Sequence, residues 1–360
     1  MVKTANKYTF EPDYAVAPGE TLRETMEALD MRQKELAIRT GLTVQSLIRI
    51  FKGEQPISYE TANRLELAVG VPASMWNNLE AKYREQLAKI HERERIEADL
   101  AWLKEIPVAE LVKRQILPKM KDKVEQLRAV LAFYGVSSVD AWHAIWDEPA
   151  VVARRSKCFE SCPGPASAWI RQGEIAAHAA QCAEFSKTKF QVAIQEIKKL
   201  TVLDPKTFIK KMQSSCAEAG VALVFIPEMK KAPWSGATKW LSPSKAMILL
   251  NLRGKAEDLF WFAFFHEAAH VLHDNKKDLL INNGKLRQDD AREIRANEYA
   301  AEVLIPHQFN DQIQKATSRN EILAIAKDLD IAPGIVVGRY QFLTKKWDFF
   351  HDLRRKFAWA

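Results

Sequence analysis

Cysteine is scarce in this 360-residue chain: Cys158, Cys162, Cys182 and Cys216 are all there is. Four thiols in so long a chain do not make the disulfide framework of a small secreted domain. Cys158-x-x-x-Cys162 with His178 and Cys182 offers a loose second zinc arrangement, but Pro163 and Pro165 intervene. Reduced, structural thiols are the default for such spacing. No uninterrupted apolar run reaches membrane-spanning length, and Met1–Lys7 lacks the apolar core of a signal peptide. A cytoplasmic protein with no membrane partner is expected. Internal repeats are absent, and so is a strong charge of either sign, the net charge being +7. Such basicity permits nucleic-acid contact without requiring it. A hydrophobic content of 47% supports two or three domains with real cores.

What is present begins with His266-Glu267-Ala268-Ala269-His270, directly after the apolar run Leu259–Phe265. On a helix, residues four apart share a face, so both imidazoles can reach one tetrahedral metal. Glu267 is then placed to take a proton from a water activated there. The pattern is the HExxH zinc-peptidase signature. A helix apolar on all sides is a buried helix, and unpaired His and Glu inside one must be satisfied. A metal does this; a hydrogen-bonded pair of core histidines is the alternative.

A catalytic zinc takes a third protein ligand and leaves its fourth position open. Residues 289–305 read as a helix stopped before Pro306. At roughly 100° per residue, Glu293, Ala296, Asn297, Ala300 and Leu304 form one stripe, with Glu298, Glu302 and Arg295 opposite. Glu293 is the expected third ligand, with Glu298 as fallback. Asn297, one turn on, suits a hydrogen bond to a ligand imidazole. His273 and Tyr299 are weaker candidates for supporting roles or for stabilising an oxyanion. One zinc ion is expected, although a His₂-carboxylate set also accepts manganese.

These residues together resemble the ImmA/IrrE family of zinc metallopeptidases over about Ala219–Pro306. The resemblance includes Val221–Pro227, Ser235–Thr238, Met247–Leu252, the His helix and the Glu-x-x-Ala-Asn-x-Tyr-Ala-Ala-Glu-x-Leu-Ile-Pro block. It implies a zincin-like α+β fold, His266, His270 and Glu293 as zinc ligands, and Glu267 as the catalytic carboxylate.

Near the other end, Pro18–Leu29 is amphipathic, and Gln33–Thr40 makes a short helix. Gly41-Leu42 forms a tight turn, and Thr43 is an N-cap for a helix through Phe51. That is helix-turn-helix spacing, with Leu36, Ala37, Leu47 and Ile50 packing the two helices together. The second helix exposes Val44, Gln45, Ser46 and Arg49, with Lys52 just beyond. A three-helix structural unit with a solvated basic face is the plainer alternative. The segment resembles the XRE-type helix-turn-helix of HigA-like antitoxins over about Ala17–Tyr83, through Gln33-x-x-Leu36-Ala37, Gly53-x-x-Pro56-Ile57-Ser58 and Trp76-x-x-Leu79-Glu80. It implies double-stranded operator DNA as partner and a homodimer. Thr43, Gln33, Gln45 and Arg49 are the expected contacts, with Val44, Ser46 and Lys52.

The expected fold is mainly α with a small β-sheet: a helix-turn-helix bundle over 1–83, a helical connecting region over 84–200, the peptidase domain over 201–310 and a helical tail over 311–360. Within these, Lys123–Phe133, Val139–Trp146 and a longer Ser167–Leu200 segment read as helical, Cys162–Pro165 as a hinge, and Phe349–Phe357 as a final helix. The two resemblances imply a transcriptional regulator fused to a zinc-dependent endopeptidase. Its substrate is expected to be a repressor or antitoxin-like protein, cut by attack of zinc-activated water. The alternative is a HigA-like antitoxin or autorepressor whose peptidase domain is a non-cleaving sensor or toxin-binding module.

Overall fold

Turn residues divide the first hundred residues into helices, and the computed structural model follows them. It describes residues 14–146, 163–230, 234–274, 279–282 and 291–359. The chain forms two compact units, Met1–Leu100 and Ala101–Ala360. In the first, α1 (Pro18–Ala28), α2 (Gln33–Thr40), α3 (Val44–Phe51) and α4 (Tyr59–Val69) precede a long α5 (Ala73–Ala98). Gly41 ends α2 at φ 67°, a left-handed conformation that costs glycine little. Leu22, Leu36, Leu47, Ile50, Ala62, Leu65 and Trp76 form one buried core. The carboxylate of Glu80 accepts from the amide of Ile57 at 3.0 Å and from Arg84 at 2.7 Å, which fastens the 53–57 loop to α5. Helix α5 continues without a break past Tyr83, where the sequence suggested a boundary.

The Thr43 hydroxyl accepts the amide hydrogen of Ser46 at 3.0 Å, capping α3. Thr43→Ala is expected to cost about 1 kcal/mol, lowering the melting midpoint of this unit by about 4–8 °C. A midpoint unchanged in thermal unfolding would show that the cap contributes nothing.

The second unit holds α6 (Val108–Lys113), α7 (Lys123–Tyr134), α8 (Val139–Trp146), α9 (Pro163–Ala179), α10 (Lys187–Lys199) and α11 (Pro205–Glu218). A four-stranded sheet follows, from β1 (Val221–Phe225), β2 (Gly236–Ser242), β3 (Lys245–Leu250) and β4 (Leu279–Asn282), in the order β1-β3-β2-β4. β1 runs parallel to β3, and the other pairings are antiparallel. Between β3 and β4 lies α12 (Glu257–His273), buried along nearly its whole length. α13 (Ala291–Leu304), α14 (Asn310–Lys315), α15 (Arg319–Asp328) and α16 (Pro333–Thr344) complete the unit. One core joins α10, α11, β1, β3, α12, α13, α15 and α16. Helix α10, which the sequence suggested as part of a connecting region, therefore packs in the core of the His helix, as do the tail helices. Among the described residues no helix is long and apolar enough to cross a membrane.

Three local expectations differ from the structure. Ser167–Leu200 is not one long helix: it breaks after Ala179, because Ala183, Phe185 and Ser186 donate their amides to Ala217, Ser244 and Ala219. The Pro163-Gly164-Pro165 segment is the first turn of α9 rather than a hinge, since a proline at a helix start gives up no needed donor. Gly164 there lies so close to Glu105 that a Cβ would fall 1.9 Å from its carbonyl oxygen. Phe349–Phe357 is not a helix beyond the single 3₁₀ turn His351–Leu353. Its later residues run extended and bridge Lys356 to Ala256, so Arg354 and Arg355 can reach Asp258 and Glu257.

Candidate functional site

Helix α12 enters the core through Phe260, Trp261, Phe264 and Phe265, which buries the next turns whatever they carry. His266, Glu267 and His270 are thereby held at 1% exposure or less. α13 lies across α12 and brings Glu293 to the two imidazoles through its stripe of small residues, Ala296 and Ala300, both buried. Nε2 of His266 and Nε2 of His270 are 3.0 Å apart. The Glu293 oxygens lie 3.4 Å from the first and 3.5 Å from the second. A tetrahedral zinc with bonds of about 2.0–2.1 Å needs donors about 3.3 Å apart, so the three atoms fit one ion. Among the described residues these three form the group able to hold a metal; the fallback Glu298 is exposed on the far side of α13.

Both imidazoles are set for that role by their other nitrogen. Nδ1 of His266 donates to Oδ1 of Asn297 at 3.0 Å, and Nδ1 of His270 donates to Asp274 at 2.5 Å. An amide oxygen and a carboxylate can only accept, so in each ring Nε2 is the atom left for a ligand. Asn297 thus stands where the helical stripe suggested. His273 and Tyr299 meet ring to ring at 5.5 Å.

Glu267 lies between α12 and β2. Its Oε2 accepts from the Thr238 hydroxyl at 2.6 Å, whereas Oε1 is buried and has no hydrogen-bond partner among the described residues. Gly236 makes room for it: a Cβ there would fall 2.6 Å from Oε1. A buried carboxylate oxygen left over in this way is costly unless something else comes to it, which is what a catalytic base requires. Burial holds the Glu267 carboxyl above its usual range, against the opposing pull of His270 and His266. Glu293 is different: burial opposes its charge, but hydrogen bonds to both imidazoles hold it well below the usual range.

The helix-turn-helix face is built separately. Gln45, Arg49 and Lys52 are exposed, Val44 is 37% exposed, and Gln33 and Ser46 are half-buried. Thr43 and Ser46 are engaged with each other in the cap, the Thr43 hydroxyl donating to Ser46 Oγ at 3.0 Å. Gln33, Ile48 and Lys52 line a groove of about 340 Å³ with Met26, Met31 and Phe51. Arg39 is tied to Glu35 at 2.5 Å on the outer side of α2.

Two family models match the chain. Residues 22–76 match a helix-turn-helix domain, and residues 216–335 match the IrrE N-terminal-like domain of peptidase family M78. One segment of the chain is thus similar to a helix-turn-helix domain and another to a peptidase-family domain. No curated protein matches it. Family M78 is generally zinc-dependent, in keeping with the His-His-Glu group.

Three residues of this site had no role readable from local pattern, although Gly236 and Thr238 lie in the Ser235–Thr238 segment of the resemblance. Gly236 and Thr238 lie on a strand, and only its pairing brings them to Glu267. Asp274 follows the His helix, in a stretch where a lone Asp reads as a turn residue. The second cysteine-based zinc arrangement cannot be placed, since Cys158 and Cys162 fall outside the described residues; Cys182 and Cys216 are free thiols.

Burial opposes charge on His270, but hydrogen bonds to Asp274 and Glu293 outweigh it and push its pKa up to about 10. A ligand imidazole must be unprotonated, so metal binding at neutral pH is expected to expel about one proton. Apparent affinity then rises with pH until about 10. In metal-free protein the same shift adds stability, fully present below pH 6.5 and lost as pH rises through about 10. Calorimetric titration in buffers of different ionisation heat counts the proton. A count of zero at neutral pH would remove the assignment.

Proposed function

We propose that this protein is a DNA-bound regulator whose peptidase domain cuts a repressor or antitoxin-like protein in a zinc-dependent reaction. The observation that carries this reading is the juxtaposition of three convergent ligand atoms with a buried carboxylate oxygen, Glu267 Oε1, that has no hydrogen-bond partner among the described residues. His266, His270 and Glu293 would hold the ion through Nε2, Nε2 and a carboxylate oxygen. Zinc, when bound, supplies Lewis acidity and makes a water acidic enough to be deprotonated near neutral pH. Glu267 Oε1 takes the proton of the attacking water and passes it to the leaving amine. Thr238 holds the other oxygen still, so one carboxylate orientation serves both transfers. The exposed residues Gln45, Arg49 and Lys52, with Gln33, are the operator contacts, and a homodimer places two such faces on one duplex. Such a protein works in the cytoplasm.

The test uses the full chain, purified with and without added zinc, against repressors and antitoxins encoded beside its gene. Metal content and operator binding are measured on the same samples. Zinc-dependent cleavage of one of these proteins supports the reading. Bound zinc and intact operator binding without cleavage of any of them would instead mark a silent, sensing domain. Protein never exposed to chelator that holds no metal would overturn the site.

A further inference from the structure

The residue after the His helix is an aspartate in a place that helix physics disfavours. Asp274 is the C-cap of α12, where its amide donates to His270 O at 3.1 Å. A carboxylate at the negative end of a helix dipole is repelled, and this side chain is only 3% exposed. Two contacts offset that cost, and they use different oxygens. Oδ2 accepts from His270 Nδ1, and Oδ1 accepts from the Arg295 guanidinium. Arg295 belongs to α13, two residues beyond Glu293 and two before Asn297. A plain surface ion pair between the helices would not need the buried oxygen on the imidazole. Burial opposes the Asp274 charge, but His270 and Arg295 hold its carboxyl below the usual range.

We infer that Asp274, anchored by Arg295, is the positioning residue for His270, so that α13 orients both imidazoles of the metal site. The inference rests on the metal-site reading above. Asn297 of α13 fixes His266 directly, and Arg295 of α13 fixes His270 through Asp274. Together with Glu293, one helix then sets the position of all three donors. A carboxylate partner also makes the imidazole a more basic ligand.

The experiment is competition for zinc between the full chain and a chromophoric chelator, with the ligand-field spectrum of the cobalt-loaded protein as second readout. Wild type, Asp274→Ala, Asp274→Asn, Arg295→Ala and a His266→Ala control are compared. Asp274→Ala is expected to bind zinc about 10- to 100-fold more weakly, with an altered cobalt spectrum and unchanged circular dichroism. Asp274→Asn keeps an acceptor for Nδ1 and falls between, and Arg295→Ala loses less than Asp274→Ala. Zinc affinity and cobalt spectrum in Asp274→Ala equal to wild type, with His266→Ala impaired, would overturn the positioning role alone. If Asp274→Ala does not fold, Asp274→Asn and Arg295→Ala decide the matter by the same two readouts. A wild type that binds no zinc would overturn the metal site as well.

Discussion

Glu267→Gln is expected to lower peptide cleavage by about two to four orders of magnitude while zinc stays bound. Gln has nearly the shape of Glu, and its amide oxygen can keep the bond from Thr238, now made to Oε2 at 2.6 Å. The amide nitrogen then faces the space beside Gly236, where the carboxylate offered an acceptor with no partner among the described residues. A base has become a donor, and no other carboxylate takes its place, since Glu293 is committed to the imidazoles. His266, His270 and Glu293 are untouched, so metal content and operator binding are expected to equal wild type. Initial rates of substrate cleavage, with zinc measured in the same samples, check this. Undiminished cleavage would remove Glu267 from the reaction.

Arg355→Ala carries the largest expected loss of stability, about 1–3 kcal/mol. Glu257 starts α12 at 0% exposure, and its Oε2 is met by Arg355 Nε at 2.5 Å. The same guanidinium donates to the carbonyls of Leu203 and Thr201, so its removal takes a donor from three acceptors at once. Removing one partner of a buried pair is costly because the other charge stays behind. Glu257→Gln in the Arg355→Ala background is therefore expected to recover part of the loss. Denaturant unfolding of the single and double variants checks both statements. A double variant no more stable than Arg355→Ala would mean that the stranded charge is not the cause.

Much of this was legible where one periodicity decides the outcome. The apolar run before His266, the i,i+4 spacing of the two histidines and the Glu293-Ala296-Asn297-Ala300 stripe all follow from 3.6 residues per turn, and the structure places them accordingly. Gly41 and Thr43 announced their turn and cap in the same local way. The misreadings lie where distant groups outbid local pattern. Phe349–Phe357 has helix-like spacing, yet Arg354 and Arg355 find buried carboxylates nearly a hundred residues away, and the backbone extends to let them. Residues 180–186 abandon helix for amide bonds to the sheet region. Gly236, Thr238 and Asp274 depend on strand pairing or on a guanidinium from another helix, which no window of sequence contains.

The Arg355 clamp also bears on the order in which the chain matures. Its bond to Thr201 closes a loop of 154 residues, whereas within the helix-turn-helix unit the bond from Arg84 to Gly53 spans 31. Chains rich in local contacts fold in microseconds to milliseconds, and non-local pairings slow the search. The helix-turn-helix unit is therefore expected to reach its native state before the second unit does. Two refolding phases, with operator binding recovered in the fast one and zinc uptake in the slow one, are the kinetic signature; a single shared phase would refute it.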